Sequence, residues 1–221
     1  MSSTLNQPLL SDHYYRWVVV GYGITIQAVS VGTLIYCFAL FSLPWLEEFS
    51  SSRRDLMLTV ALLQLGVGLV SPFVGRALDA YPPQWVVTVG LLSLVVGLTL
   101  AQHVTSLFQL WLVYATFMPL AMALMGSLTS QTLVTRWFKE RRGLALGISS
   151  MGTNIGGIIL PLLVAGWLLE MGWRDVMQNL LLLAVIVVLP ATWLLLGRKP
   201  QANDTEYQSN AMDTRVWTCL L

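Results

Sequence analysis

Six runs of almost unbroken apolar residues divide the chain, and polar residues collect in the short breaks between them. The runs extend roughly over residues 18–43, 56–74, 86–102, 107–134, 144–169 and 176–196. A helix crossing a bilayer needs about 20 mostly apolar residues, because each adds about 1.5 Å toward a hydrocarbon core about 30 Å thick. Membrane strands need only about 9–11 residues and alternate in polarity, which none of these runs does. The breaks, "SLPWLEEFSSSRRD", "RALDAYPPQ", "QHVTS", "TRWFKERRG" and "EMGWRD", carry turn residues. The pattern therefore predicts an all-α membrane protein, a six-transmembrane-helix bundle. Each helix would satisfy its own backbone in a solvent that offers no hydrogen bonds.

Polar residues inside the runs fall into helical stripes. In helix 1, Gly23, Gln27, Ser30, Thr33 and Cys37 share one face at about 100° per residue. In helix 4, Thr116, Ala123, Ser127, Ser130 and Gln131 do the same, and in helix 5 so do Gly147, Ser150, Asn154, Gly157 and Pro161. The pairs Gly143/Gly147 and Gly152/Gly156 have the spacing that lets helix backbones approach closely in lipid. A stripe of this kind either packs helix on helix or borders water. Helices 3 and 6 have almost nothing polar around them, which predicts a peripheral, lipid-facing place for both. Helices 1, 4 and 5 are expected to look inward, joined by helix 2 through Gln64, Gly66 and Gly68.

Composition agrees: 56% of residues are hydrophobic, 10% are charged and the mean hydropathy is +0.69. Soluble domains carry about a quarter charged residues. The net charge of +1 says nothing about nucleic acid, because the bias lies in where the charges sit and not in their sum, and that placement leaves no basic face for DNA. The cations are unevenly placed. With the N-terminus inside, the cytoplasmic segments hold nine, Arg16, Arg76, Arg136, Lys139, Arg141, Arg142, Arg198, Lys199 and Arg215, against Arg53, Arg54 and Arg174 outside. That is the positive-inside bias, and it predicts two cytoplasmic ends. Arg136, Lys139, Arg141 and Arg142 would hold the loop between helices 4 and 5 on the cytoplasmic side. The N-terminus has no basic leader to a short apolar core, so a retained first span is expected.

Several stretches resemble one half of a major facilitator superfamily transporter, a 3+3 inverted repeat. "GRALDAY", with Gly75, Arg76, Asp79 and Tyr81, is similar to the superfamily's motif in the loop between helices 2 and 3. Ala80 and Pro82 stand where that motif has a basic residue and a glycine. The resemblance implies a conformational latch against the other half. Read from the dipole alone, Asp79 would be a cap at a helix N-terminus. "WFKERRGLALGISSMGTNIGG" is similar to the fourth loop and fifth helix of the monocarboxylate transporter and oxalate:formate antiporter branch, and "GWRD" to the entry of helix 6.

The resemblance implies secondary active transport of a small organic anion, a monocarboxylate, by alternating access. This chain would supply the first bundle, with a C-terminal six-helix half as partner. The neutral wall of the cavity would be Gln27, Ser30, Thr33, Thr116, Ser127, Gln131, Ser150 and Asn154; close packing would fall to Gly143, Gly147, Gly152, Gly156 and Gly157. Residues 1–17 are expected to be a cytoplasmic tail and 18–196 the bundle. Residues 197–221 would be an interdomain loop leading into the cut-short start of a seventh helix, as expected of an N-terminal fragment, with a natural half-size protein that pairs with another copy as the alternative. No catalytic residue, cofactor or metal is expected. A serine hydrolase would need a histidine on a facing span, and His13 and His103 are the only two. Drug, sugar or nitrate transport, or a non-transporting assembly or receptor subunit, stands as the alternative; the setting is a plasma or inner membrane, multi-pass.

Overall fold

A computed structural model describes residues 12–138 and 142–196, and among these the secondary structure is helical, with no strand. Six helical spans are long and apolar enough to cross a membrane: Tyr15–Glu48, Arg53–Ala80, Pro83–Gln102, Leu107–Trp137, Arg142–Glu170 and Trp173–Leu195. Spans 1 and 2 run more than a turn past their apolar stretches, because flanking polar residues continue the hydrogen-bonded backbone beyond the hydrocarbon. Residues 197–221, together with Lys139 and Arg141, lie outside the described residues.

Two of the spans are not continuous α-helices. Span 1 consists of α1 (Asp12–Val31), a π-helical turn at Gly32–Tyr36 and α2 (Phe38–Glu48). The turn closes with a bond from the Cys37 amide to the Gly32 carbonyl at 2.9 Å. A Cβ at Gly32 would stand 2.6 Å from the Leu160 side chain, so the wider turn sits against helix 5. Span 4 was expected to be one helix and instead breaks at Gly126, between α5 (Leu107–Met125) and α6 (Ser127–Trp137). Gly126 has φ −82° and ψ −155°, and a Cβ there would collide with the Met122 carbonyl oxygen. The Thr129 hydroxyl donates to the Ala123 carbonyl at 3.3 Å, pairing a group that the break releases.

The remaining spans are α3 (Arg53–Ala80), α4 (Pro83–Gln102), α7 (Arg142–Glu170) and α8 (Trp173–Leu195). Span 1 is the axis: 61% of its most apolar stretch is buried, and it packs on α5, α6, α7 and α8. Span 3 is half buried rather than simply peripheral. Its small residues turn onto α5, with Gly90 against Leu124, Gly97 against Met118, and the Ser93 hydroxyl on the Phe117 carbonyl at 2.8 Å. Spans 2 and 5 are the least covered, at 17% and 22%. Polar content marked helices 3 and 6 as outer, yet the widest open faces belong to helices 2 and 5.

The ends are fastened by different chemistry. Where spans 1, 3 and 6 meet, Glu48 accepts from the Trp173 indole at 2.7 Å and pairs with Arg174, whose Nε donates to the Gln102 carbonyl at 2.9 Å. The Arg174 guanidinium also lies 4.2 Å from the centre of the Trp173 ring. At the other end, Tyr15 bonds the Leu195 carbonyl and Gln84 the Leu196 carbonyl, closing carbonyls at the end of α8.

Candidate solute cavity and latch

The helix 1 stripe is sealed rather than open. Gln27, Ser30 and Thr33 are 2%, 0% and 4% exposed. Gln27 Nε2 donates to Thr153 Oγ1 on α7 at 2.6 Å, while Gln27 Oε1 and Thr33 Oγ1 have no partner. The reason lies in the glycines facing them. A Cβ on Gly152 would sit 2.6 Å from the Ile24 carbonyl oxygen, and one on Gly156 would meet the Ala28 backbone. Backbones this close bring helices 1 and 5 into direct contact, and polar side chains between them act as interhelical bonds.

A Cβ on Gly157 would stand 2.9 Å from the Tyr36 ring. Gly143 and Gly147 do not take part in this packing, since nothing described lies within 4 Å of where their side chains would begin. The packing face of α7 is Ala145, Ser149, Gly152, Gly156, Leu160 and Val164. The predicted stripe lies beside it, with Gly147 and Asn154 exposed and Ser150 half-buried with its hydroxyl on the Leu146 carbonyl at 2.9 Å.

Helix 4 divides in the same way. Thr116, Ser127 and Gln131 are exposed, whereas Ala123 and Ser130 are buried. Thr116 and Ala123 stand before the break at Gly126 and the other three after it on α6, where Ser130 turns to a different side from Ser127 and Gln131. Ser130 Oγ instead meets Ser149 Oγ at 2.7 Å, directly under Gly23, where a Cβ would stand 2.6 Å from Ser130 Oγ. Ser149 and Thr153 are contributors that the sequence stripes passed over. The spacing 149, 152, 153, 156 is itself a helical face and carried the signal.

Of the predicted cavity positions, Thr116, Ser127, Gln131 and Asn154 are open, and all four are uncharged. Such side chains offer hydrogen bonds to a solute and no ionic anchor. Among the described residues no group of three or more His, Cys, Asp or Glu is placed to hold a metal ion.

At the loop between spans 2 and 3, Asp79 is not at a helix N-terminus. It occupies the last turn of α3, whose backbone dipole disfavours a carboxylate, and α4 begins at Pro83. Arg136 from the end of α6 offsets this, donating to the Leu78 carbonyl at 2.6 Å and to Asp79 Oδ1 at 3.3 Å. The pair is open to solvent, so it contributes at most about 1 kcal/mol. Arg142 closes the end of α6, its Nε on the Phe138 carbonyl at 3.0 Å. Arg76 and Tyr81 are exposed, and Gly75 faces open space.

The comparisons fit this architecture. An MFS-type transporter of Gibberella moniliformis is 36% identical over 152 residues, 68% of this chain and 36% of that protein. Monocarboxylate transporter 14 of Homo sapiens is 28% identical over 167 residues, 75% and 32%. Riboflavin transporter RibJ of Trypanosoma brucei brucei is 25% identical over 203 residues, 88% and 36%. The chain spans about a third of the length of these curated relatives. The family model for the Major Facilitator Superfamily matches residues 18–220. With six membrane-length helices packed as described, the chain is an integral, multi-pass membrane protein that belongs to the Major Facilitator Superfamily.

Proposed function

We propose that this chain forms the first of two six-helix bundles in a secondary transporter for a small organic anion, a monocarboxylate. The observation that carries the reading is the 28% identity to a protein named monocarboxylate transporter 14. The neutral open wall of Thr116, Ser127, Gln131 and Asn154 supports it. A second bundle would cover the open faces of spans 2 and 5 and bring the cation that holds the carboxylate. Two bundles rocking about a site between them would expose it alternately to each side. In that assembly the Asp79 and Arg136 corner, with Arg76 and Tyr81, would bear on the partner as the conformational latch. Both ends of the bundle's chain lie in the cytoplasm, by the nine-to-three distribution of cations.

A second reading, a larger heteroaromatic solute, is favoured by the similarity to a riboflavin transporter. Uptake into proteoliposomes containing both bundles separates the two. Radiolabelled short monocarboxylate should enter, riboflavin should not, and replacing Thr116, Gln131 and Asn154 together by apolar residues should raise KM. Unchanged affinity for every solute tried would refute the cavity.

A further inference from the structure

Beside the loop joining spans 1 and 2, a cavity of about 320 Å³ lies between α2 and the start of α3. Its apolar wall is Leu43, Leu46, Leu56 and Met57, and its polar members are Ser42 and Arg53. The Ser42 hydroxyl is already bonded to the Ala39 carbonyl at 2.6 Å. Arg53 is exposed and makes no hydrogen bond or ion pair among the described residues. The neighbouring acids do not neutralise it: Asp55 is held by the Ser52 hydroxyl at 2.7 Å, Glu48 by Trp173 and Arg174, and the exposed Glu47 does not line the cavity.

A guanidinium presents a fixed fork of donors that matches a carboxylate or phosphate. Here Arg53 lines a basin whose other walls, Ser42 apart, are hydrocarbon. A small inorganic anion would leave those walls wet, and a neutral tail would leave the guanidinium unmatched. We propose that this cavity binds an amphiphilic monoanion, its carboxylate or phosphate on Arg53 and its hydrocarbon against Leu43, Leu46, Leu56 and Met57. Two sources share that chemistry, an acidic lipid of the bilayer and an apolar organic acid arriving from water. The site lies at the end of the bundle and does not depend on the transport reading.

The test uses the full chain in phosphatidylcholine nanodiscs with radiolabelled octanoate as the probe. R53Q should weaken binding about tenfold, the loss of one charge-assisted contact. M57W, which fills the cavity at a half-exposed position and leaves the charge in place, should weaken it comparably. R54Q, outside the lining, should bind as the parent does. Where the R53Q protein does not fold by far-UV circular dichroism, M57W against R54Q gives the same contrast. In phosphatidylglycerol nanodiscs, loss of the Arg53-dependent binding identifies a lipid site, and its survival identifies a site for the dissolved acid. Equal octanoate affinity in the parent, R53Q and M57W would overturn the proposal, as would octylammonium binding as tightly as octanoate.

Discussion

Adding one methyl group to Gly152 is the sharpest test of how helices 1 and 5 are joined. A Cβ there would stand 2.6 Å from the Ile24 carbonyl oxygen, 2.9 Å from its Cα and 3.1 Å from its carbonyl carbon. These are backbone atoms, which have no rotamer to escape into, so the two helices must separate. Overpacking of this kind costs about 1–3 kcal/mol. Separation also stretches the Gln27–Thr153 bond of 2.6 Å, and polar bonds between membrane helices average about 0.6 kcal/mol. Replacing glycine by alanine inside a helix also gains about 0.5–1 kcal/mol from backbone propensity.

Gly147 lies on the same helix with nothing described within 4 Å, so G147A carries the propensity gain alone. The difference between the two variants therefore isolates the contact. G152A should be less stable than G147A by about 1–3 kcal/mol, measured from the midpoint of SDS-induced unfolding in mixed micelles by far-UV circular dichroism. Equal midpoints, or G152A above G147A, would refute the close approach of the two helices.

Thr153→Val should cost about 1 kcal/mol, because it leaves the buried Gln27 amide donor unpaired. Gln27→Leu in the same molecule should recover part of that loss, as read in the same unfolding assay. Glu48→Gln and Arg174→Gln should be less than additive, with a coupling of about 0.5–1 kcal/mol after solvent screening; a double-mutant cycle returning zero would remove the clamp. Reporter tags inserted at residues 50 and 140 should be reached by impermeant reagents from opposite sides of the membrane, and finding both on one side would undo the six-span topology.

The number of spans, the helical class and the family motifs were legible because each depends on local sequence. Twenty apolar residues cross a bilayer whatever surrounds them, and motifs such as "GRALDAY" and "GWRD" are contiguous. The glycine pair Gly152 and Gly156 was legible too, since three- and four-residue spacing defines a helix face before any partner is known. Gly143 and Gly147 have the same spacing without a neighbour among the described residues, and nothing in their own sequence distinguishes them.

The sequence by itself therefore determined that this chain lives in lipid, how many times it can cross, and which residues could lie on one side of each helix. Only the tertiary structure decided what those sides meet. A stripe projected on an ideal helix assumes a constant pitch, and the π-helical turn at Gly32–Tyr36 and the break at Gly126 both change the pitch midway. Gln27 is buried because two glycines on another helix allow contact, and Asn154 is open because it stands one position round from that face. Helices 2 and 5 likewise keep open faces because nothing described in this bundle packs there. A polar residue in lipid must find a partner, and which partner is set by helix packing across more than a hundred residues of chain.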